Sequence, residues 1–124
     1  MLRIVVGGQL AKNEIAEKIK ELGKENVEVK VLGDLAAAMA VKKKEADYYF
    51  GACATGGGGS LAMAIALLGM DKCVTVSMPS KMLNEKEMID ALSQGKIAFG
   101  FVSDTRDHVL KTLIPEIIKK DKGE

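Results

Sequence analysis

The residues best suited to chemistry in this sequence are a cysteine and the glycine-rich segment that follows it. Cys53 ends an apolar run, and in the loop after it four consecutive glycines lie between a threonine and a serine: Thr55, Gly56, Gly57, Gly58, Gly59 and Ser60. Consecutive glycines let backbone N–H groups come close to a ligand, and a helix starting after the loop adds the positive end of its dipole. We therefore predict that residues 55–60 bind an anion. The alternative is a tight structural turn without a ligand, although one or two glycines suffice for that.

Cys53 is the candidate catalytic residue. A helix N-terminus beside the thiol would lower its pKa and favour the thiolate, which is a base and a nucleophile. Cysteine is also among the most buried residue types, so a plain core thiol is the alternative. We interpret Cys73 as a core residue, too distant for a disulfide. The single histidine, His108, is interpreted as a surface residue, with a general acid or base as its alternative role.

The residues that metals and nucleotide cofactors require are missing. Two cysteines and one histidine, without a Cys-x-x-Cys pair, do not make a zinc site. A phosphate-binding Walker loop needs Gly-Lys-Ser/Thr, whereas this loop continues as Gly59-Ser60-Leu61. A dinucleotide fingerprint through Gly57, Gly59 and Ala62 would follow the third strand, with no acid after the fourth strand for a ribose. We expect neither a metal nor a cofactor.

The composition is that of a small globular protein. The 124 residues are 48% hydrophobic with a formal net charge of +1, and they include two tyrosines, three phenylalanines and no tryptophan. Such a chain neither attracts nucleic acid or anionic membranes nor offers many rings for base stacking. No apolar stretch reaches the roughly 20 residues of a membrane-spanning helix, and the N-terminus lacks a signal-peptide pattern. We expect one domain over residues 1–124, located in the cytoplasm, without nucleic-acid or membrane partners.

Strand and helix patterns alternate five times along the chain. The predicted strands are 3–6, 27–31, 47–53, 73–78 and 97–102, and each is followed by a helical pattern. This alternation is typical of an α/β protein. We predict a Rossmann-like, flavodoxin-like three-layer sandwich around a five-stranded parallel sheet in the order 2-1-3-4-5.

Polar residues and one proline mark the ends of the predicted helices. Asp34 is predicted to cap the second helix, and Asn84 forms a capping box with Glu87 at the start of the fourth. The last helix is predicted to be capped by two aspartates and kinked or divided by a proline: Asp104, Asp107 and Pro115.

The predicted sheet places a ligand site between strands one and three. Ligands of such sheets bind beyond the carboxyl ends of the strands, where the winding reverses. At that point the turn after strand one lies beside residues 53–60. We therefore add Gly7, Gly8 and Gln9 to the predicted binding residues.

The predicted third helix, residues 61–68, is apolar on every side. A helix that only covers a sheet exposes a polar face to water, so this helix is expected to be covered by a second surface. We predict a homo-oligomer interface, with a dimer favoured. The alternative is a helix buried by its neighbours within one chain.

Parts of the sequence resemble two known families. Segments 47–56 and 95–100, which read DYYFGACATG and GKIAFG, resemble the YhfU-like family of uncharacterised bacterial proteins. Residues 53–62, CATGGGGSLA, are similar to the Cys-Gly-Thr-Gly-x-Gly-x-Ser-x-Ala loop of type B ribose-5-phosphate isomerases. The second resemblance implies a Rossmann-like fold, Cys53 as the base in aldose–ketose isomerisation, and a site lined by Thr55, Gly56, Gly58 and Ser60. Those enzymes have Ser-Asp-His where this chain has Gly7-Gly8-Gln9.

The leading hypothesis is therefore a protein that binds a small anionic metabolite of sugar-phosphate type at the glycine-rich loop. If it is an enzyme, a sugar-phosphate isomerase is the expected class. The alternative is a noncatalytic, oligomer-forming subunit whose glycines serve only close packing.

Overall fold

A computed structural model describes residues 1–56 and 59–124 of the protein. The strands in these ranges are β1 Leu2–Gly8, β2 Val27–Val31, β3 Tyr48–Cys53, β4 Cys73–Thr75, β5 Ser77–Met78, β6 Lys81–Met82 and β7 Ala98–Val102. The helices are α1 Lys12–Gly23, α2 Asp34–Lys42, α3 Ala62–Leu68, α4 Glu85–Ser93 and α5 Arg106–Asp121. The predicted α/β alternation is confirmed.

Five parallel strands form the main sheet, in the order β2-β1-β3-β7-β4. The predicted order 2-1-3-4-5 is therefore wrong in its last two positions, because the final strand of the chain lies between β3 and β4. The residues explain the exchange. In β7, Phe99 is fully buried and stacks on Phe50 of β3 with ring centroids 5.1 Å apart. The three-residue β4 is only partly buried, so it takes the edge of the sheet.

The predicted fourth strand, residues 73–78, divides into two pieces. The chain leaves the main sheet after Val76, whose N–H still donates to the Gly100 carbonyl of β7, and β5 pairs with β6 in a small antiparallel hairpin. Ser80 supplies the turn with a φ of +62°. The hairpin, residues 77–82, was not predicted, and it lies directly before α4.

Helices cover both faces of the sheet, as the three-layer prediction requires. The larger core is on the face of α1, α4 and α5, with Ile15, Met88 and Leu110 as examples. The smaller core is on the face of α2 and α3, where alanines such as Ala37 and Ala64 allow a close approach to the sheet. No helix in the two described ranges is long and apolar enough to span a membrane.

The predicted helix ends are partly confirmed. Asn84 and Glu87 form the capping box of α4, through N–H donations of 2.8 and 2.9 Å. Asp34 does not cap α2, because Gly33 occupies the N-cap position and the aspartate side chain is used elsewhere. The two aspartates predicted as caps of α5, Asp104 and Asp107, do not cap it either, since Thr105 holds that position. Helix α5 is not divided at its internal Pro115.

The observed strand order isolates the carboxyl end of β3. The connection that leaves β3 leads to α3 on one face of the sheet, whereas those that leave β1 and β7 lead to α1 and α5 on the opposite face. Adjacent connections that diverge leave a crevice between their strands. The end of β3 therefore has a crevice on each side, instead of the single one that the predicted order provides.

Candidate functional site

The two turns predicted to form a site lie next to each other. In the register of β1 with β3, Gly7 is opposite Gly51 and Gly8 is opposite Ala52, so the turn after β1 lies beside the end of β3. Two predicted binding residues, Gly57 and Gly58, lie outside the described residues. The binding roles of the other predicted residues stay predictions.

The thiol of Cys53 is buried and surrounded by donors. The N–H of Gly56 donates to its sulfur at 3.1 Å, and the Thr55 hydroxyl lies 3.5 Å from it. Burial raises the pKa of this thiol, but the side chains of Thr55 and Ser60 and the N–H groups of Thr55 and Gly59 outweigh burial and hold the pKa at about 6. Cys53 is thus mostly a thiolate at neutral pH.

The Ser60 hydroxyl is a weaker donor to the Cys53 sulfur than the Thr55 hydroxyl. It has one hydroxyl proton and two acceptors, because its oxygen also lies within hydrogen-bond distance of the Gly56 carbonyl. A proton donated to that carbonyl is withheld from the sulfur of Cys53. Thr55, whose hydroxyl has the sulfur as its partner, is the principal side-chain donor to the thiolate.

The N–H groups of the first turn already have acceptors within the protein. The N–H of Gly8 donates to the Asp34 carboxylate, and those of Gln9 and Leu10 donate to the Ala52 carbonyl at 2.9 and 3.1 Å. The Gln9 side chain packs against Gly59, where a Cβ would lie 2.5 Å from its Oε1 atom. The N–H groups of Gly8, Gln9 and Leu10 are therefore already used within the protein.

Tyr49 and Asp34 hold the two turns together, and this role was not predicted for either residue. The Tyr49 hydroxyl lies 2.5 Å from the Ser60 carbonyl and 3.1 Å from Asp34 Oδ1. Burial raises the pKa of Tyr49, and the neighbouring carboxylate of Asp34 raises it further, so the phenol stays protonated. Because carboxyl ends of parallel strands share an edge, the position of Asp34 after strand two was a usable signal.

The hairpin is fixed against the Cys53 loop and the end of β7. Gly56 has a φ of +92°, and a Cβ there would lie 2.0 Å from the Ser77 carbonyl oxygen. The buried Ser77 hydroxyl accepts the Val102 N–H at 2.8 Å and lies 2.8 Å from the Thr105 hydroxyl. Beside these contacts is an open cleft of about 590 Å³ between the hairpin and the ends of β3 and β7.

A family described as "Protein of unknown function DUF2620" matches residues 2–117. The chain belongs to this family. "Uncharacterized protein YhfU" of Escherichia coli strain K12 is 35% identical over 114 residues, which are 92% of this chain and 97% of that protein. The protein of the same description in Shigella flexneri matches to the same extent. The expected resemblance to YhfU-like proteins is confirmed.

The DUF2620 chain shares its fold with type B ribose 5-phosphate isomerases. The enzyme of Trypanosoma brucei superposes with a TM-score of 0.68 at 15% identity, covering 99% of this chain and 98% of that one. A ribose 5-phosphate isomerase of Thermotoga maritima gives 0.67 at 18% identity, covering 94% and 86%. The second resemblance is thus confirmed at the level of the fold.

The other candidate catalytic and metal-ligating residues of this DUF2620 protein, Cys73 and His108, lie away from the Cys53 loop. Cys73 is buried at the start of β4, and burial raises the pKa of its thiol. His108 is exposed in the first turn of α5. Within residues 1–56 and 59–124, no cluster of three or more histidine, cysteine or acidic side chains is placed to hold a metal ion.

Proposed function

We propose that this DUF2620 protein binds a small sugar-phosphate-like metabolite beside the Cys53 loop and isomerises it, with the Cys53 thiolate as the base. The observation that carries the proposal is the set of hydrogen-bond donors around the buried sulfur of Cys53, which lowers the pKa of this thiol to about 6. A thiol that serves only for packing in a core does not require several hydrogen-bond donors around its sulfur. The fold shared with ribose 5-phosphate isomerases supports the class of reaction.

Aldose–ketose isomerisation suits such a group. A base removes the proton from the carbon beside the carbonyl and returns it to the carbonyl carbon, while a hydroxyl proton moves to the former carbonyl oxygen. Substrate and product have the same atoms, so the reaction consumes no cofactor. A base works best when its pKa lies near the working pH, and the pKa of Cys53 lies close to neutrality.

Proton exchange in D₂O tests the proposal without a guess at the net direction of the reaction. We expect wild-type protein to introduce deuterium beside the carbonyl of ribose 5-phosphate or another pentose or hexose phosphate, as followed by proton NMR. Removal of a base costs about 100-fold or more, so Cys53→Ala should lose most of the exchange. Cys73→Ala removes the other buried thiol and should retain it.

The outcomes of this test are distinct. Exchange that persists in Cys53→Ala would exclude Cys53 as the base. If no phosphosugar in the panel exchanges with wild-type protein, the isomerase proposal fails.

A second proposal concerns the outer face of α3, and it applies to a catalytic protein or a noncatalytic subunit alike. Only Ala64 of this helix is buried within the chain, whereas Met63 is 41% and the nearby Met70 75% exposed. Leu35 on the neighbouring α2 is 56% exposed. Since the chain does not cover this apolar face, we propose that a second copy covers it in a symmetric dimer.

Sedimentation equilibrium tests the dimer. Met63→Lys is expected to shift the protein to the monomer, because it places a charge in the proposed interface. Met82→Lys is the matched control, since Met82 is also 41% exposed but lies on the hairpin. A wild-type monomer at all concentrations, or equal behaviour of the two variants, would contradict the proposed interface.

A further inference from the structure

The two sides of Cys53 differ in what occupies them. Towards β1, the Gln9 side chain packs on Gly59 and the N–H groups of the turn are donated to the Ala52 carbonyl. Towards β7, the crevice continues into the open cleft of about 590 Å³. Among the described residues, a ligand of Cys53 therefore has more room on the β7 side than on the β1 side.

The cleft reaches the immediate neighbours of Cys53. Ala54, the next residue along the chain, lines it, and so does Val102, which is opposite Cys53 in the register of β3 with β7. Paired strands are about 4.8 Å apart, so the backbone of Cys53 lies about one strand spacing from that of Val102. Ligand sites in proteins usually have volumes of about 300 to 1,000 Å³, and the cleft falls within that range.

The charges in the cleft favour an anion at the hairpin. Among the described residues that line it, Lys81 is the only cation and Asp104 the only acid. The Lys81 ammonium makes no ion pair with any residue in the described ranges, so its charge is available to a ligand. Met78 and Met82 on the same hairpin offer flexible apolar side chains beside it.

We propose that the ligand of Cys53 lies in this cleft with its phosphate on Lys81. The carboxylate of Asp104, which also lines the cleft, repels further negative charge on the ligand. The identity of the ligand rests on the proposed function, but the anion site rests on the cleft and its charges. The hairpin then acts as a specificity element, which selects phosphorylated over unphosphorylated substrates. A lysine on a short edge strand also discourages pairing with other chains, and in that role it would not affect ligand binding.

Binding of inorganic phosphate, measured by phosphorus NMR at low ionic strength, separates these roles. Lys81→Gln removes the cation and should weaken phosphate binding about tenfold, as expected for the loss of one charge-assisted hydrogen bond. Lys86→Gln is the matched control, because Lys86 is an exposed lysine on α4 outside the lining of the cleft. Asp104→Asn should strengthen phosphate binding severalfold, since it removes the acid.

Each result decides between the alternatives. Equal phosphate affinities in wild type, Lys81→Gln and Lys86→Gln, or no phosphate binding by the wild type, would overturn the anion site whatever the D₂O experiment gives. A tenfold loss confined to Lys81→Gln establishes the anion site. If that loss occurs but no phosphosugar exchanges with wild-type protein, the anion site stands and the isomerase proposal fails.

Discussion

Replacement of Cys53 by serine is expected to remove a pH dependence from the stability of the protein. The difference in free energy of unfolding between wild type and Cys53→Ser should rise with pH by about 4 kcal/mol in total, of which about 3 kcal/mol falls between pH 6 and pH 9. The cause is the thiol pKa, which is about 6 in the folded protein against an ordinary value of 9.0. About half of the effect is expected at pH 7.5.

The direction follows from the protons that each state binds. Below pH 6 the thiol is protonated in the folded and unfolded chains alike, and it contributes nothing. Between pH 6 and 9 the unfolded chain binds the extra proton, so stability increases with pH. The contribution is complete above pH 9 and is lost as the pH falls through 6.

Urea unfolding at pH 6, 7.5 and 9 under reducing conditions measures this difference. Cys73→Ser is the control, because burial raises the pKa of Cys73 and both states keep that thiol protonated below pH 9. Its difference from wild type should therefore be flat over this range. Parallel stability curves for wild type and Cys53→Ser would show that the loop does not hold a thiolate.

The two cysteines also show why burial alone does not explain the site. Both are buried in the same sheet, yet the pKa of Cys73 is raised and that of Cys53 is lowered. The difference lies in the donors around Cys53, with Thr55 and the N–H of Gly56 closest to its sulfur. These donors account for the opposite directions of the two pKa shifts.

The class of fold could be predicted because it depends on local patterns. Alternating strand and helix periods, with glycines at the boundaries, identify an α/β protein before any contact is known. The order of the last two strands could not be predicted in the same way. It depends on which strand packs beside β3 in the interior of the sheet. In the structure β7 does so, because Phe99 stacks on Phe50, and the short β4 lies at the edge. Nothing in the sequence of residues 73–78 indicates that the chain leaves the main sheet after Val76.

The candidate site was predictable to a similar degree. The rule that parallel strands end at one edge correctly places Gly7 and Gly8 beside the end of β3. The same rule applied to strand two would have found Asp34, which instead was interpreted as a helix cap. Tyr49 could not be found, because nothing in an apolar strand sequence shows that its hydroxyl reaches the Ser60 carbonyl.

Gly56→Ala is expected to destabilise the protein by about 4 kcal/mol. A non-glycine residue at a φ of +92° is strained, and its Cβ would lie 2.0 Å from the Ser77 carbonyl oxygen. Relief of that clash requires the hairpin to move away from the loop. Gly95→Ala is a closely matched control, because Gly95 has a φ of +91° and open space around the missing Cβ. It should cost about 1 kcal/mol, the conformational part alone.

The difference between these two variants, measured by urea unfolding, isolates the contact between the loop and the hairpin. Gly56 also donates its N–H to the sulfur of Cys53, so displacement of the loop should raise the thiol pKa. The midpoint of labelling is the pH at which iodoacetamide labels Cys53 at half its maximal rate. This midpoint should therefore rise above about 6 in Gly56→Ala and remain at about 6 in Gly95→Ala. Equal stabilities and equal labelling midpoints in Gly56→Ala and Gly95→Ala would mean that the hairpin is not in close contact with the loop at Gly56. Lower stability together with a higher labelling midpoint in Gly56→Ala would show that this glycine holds both the low pKa of Cys53 and the contact between the loop and the hairpin.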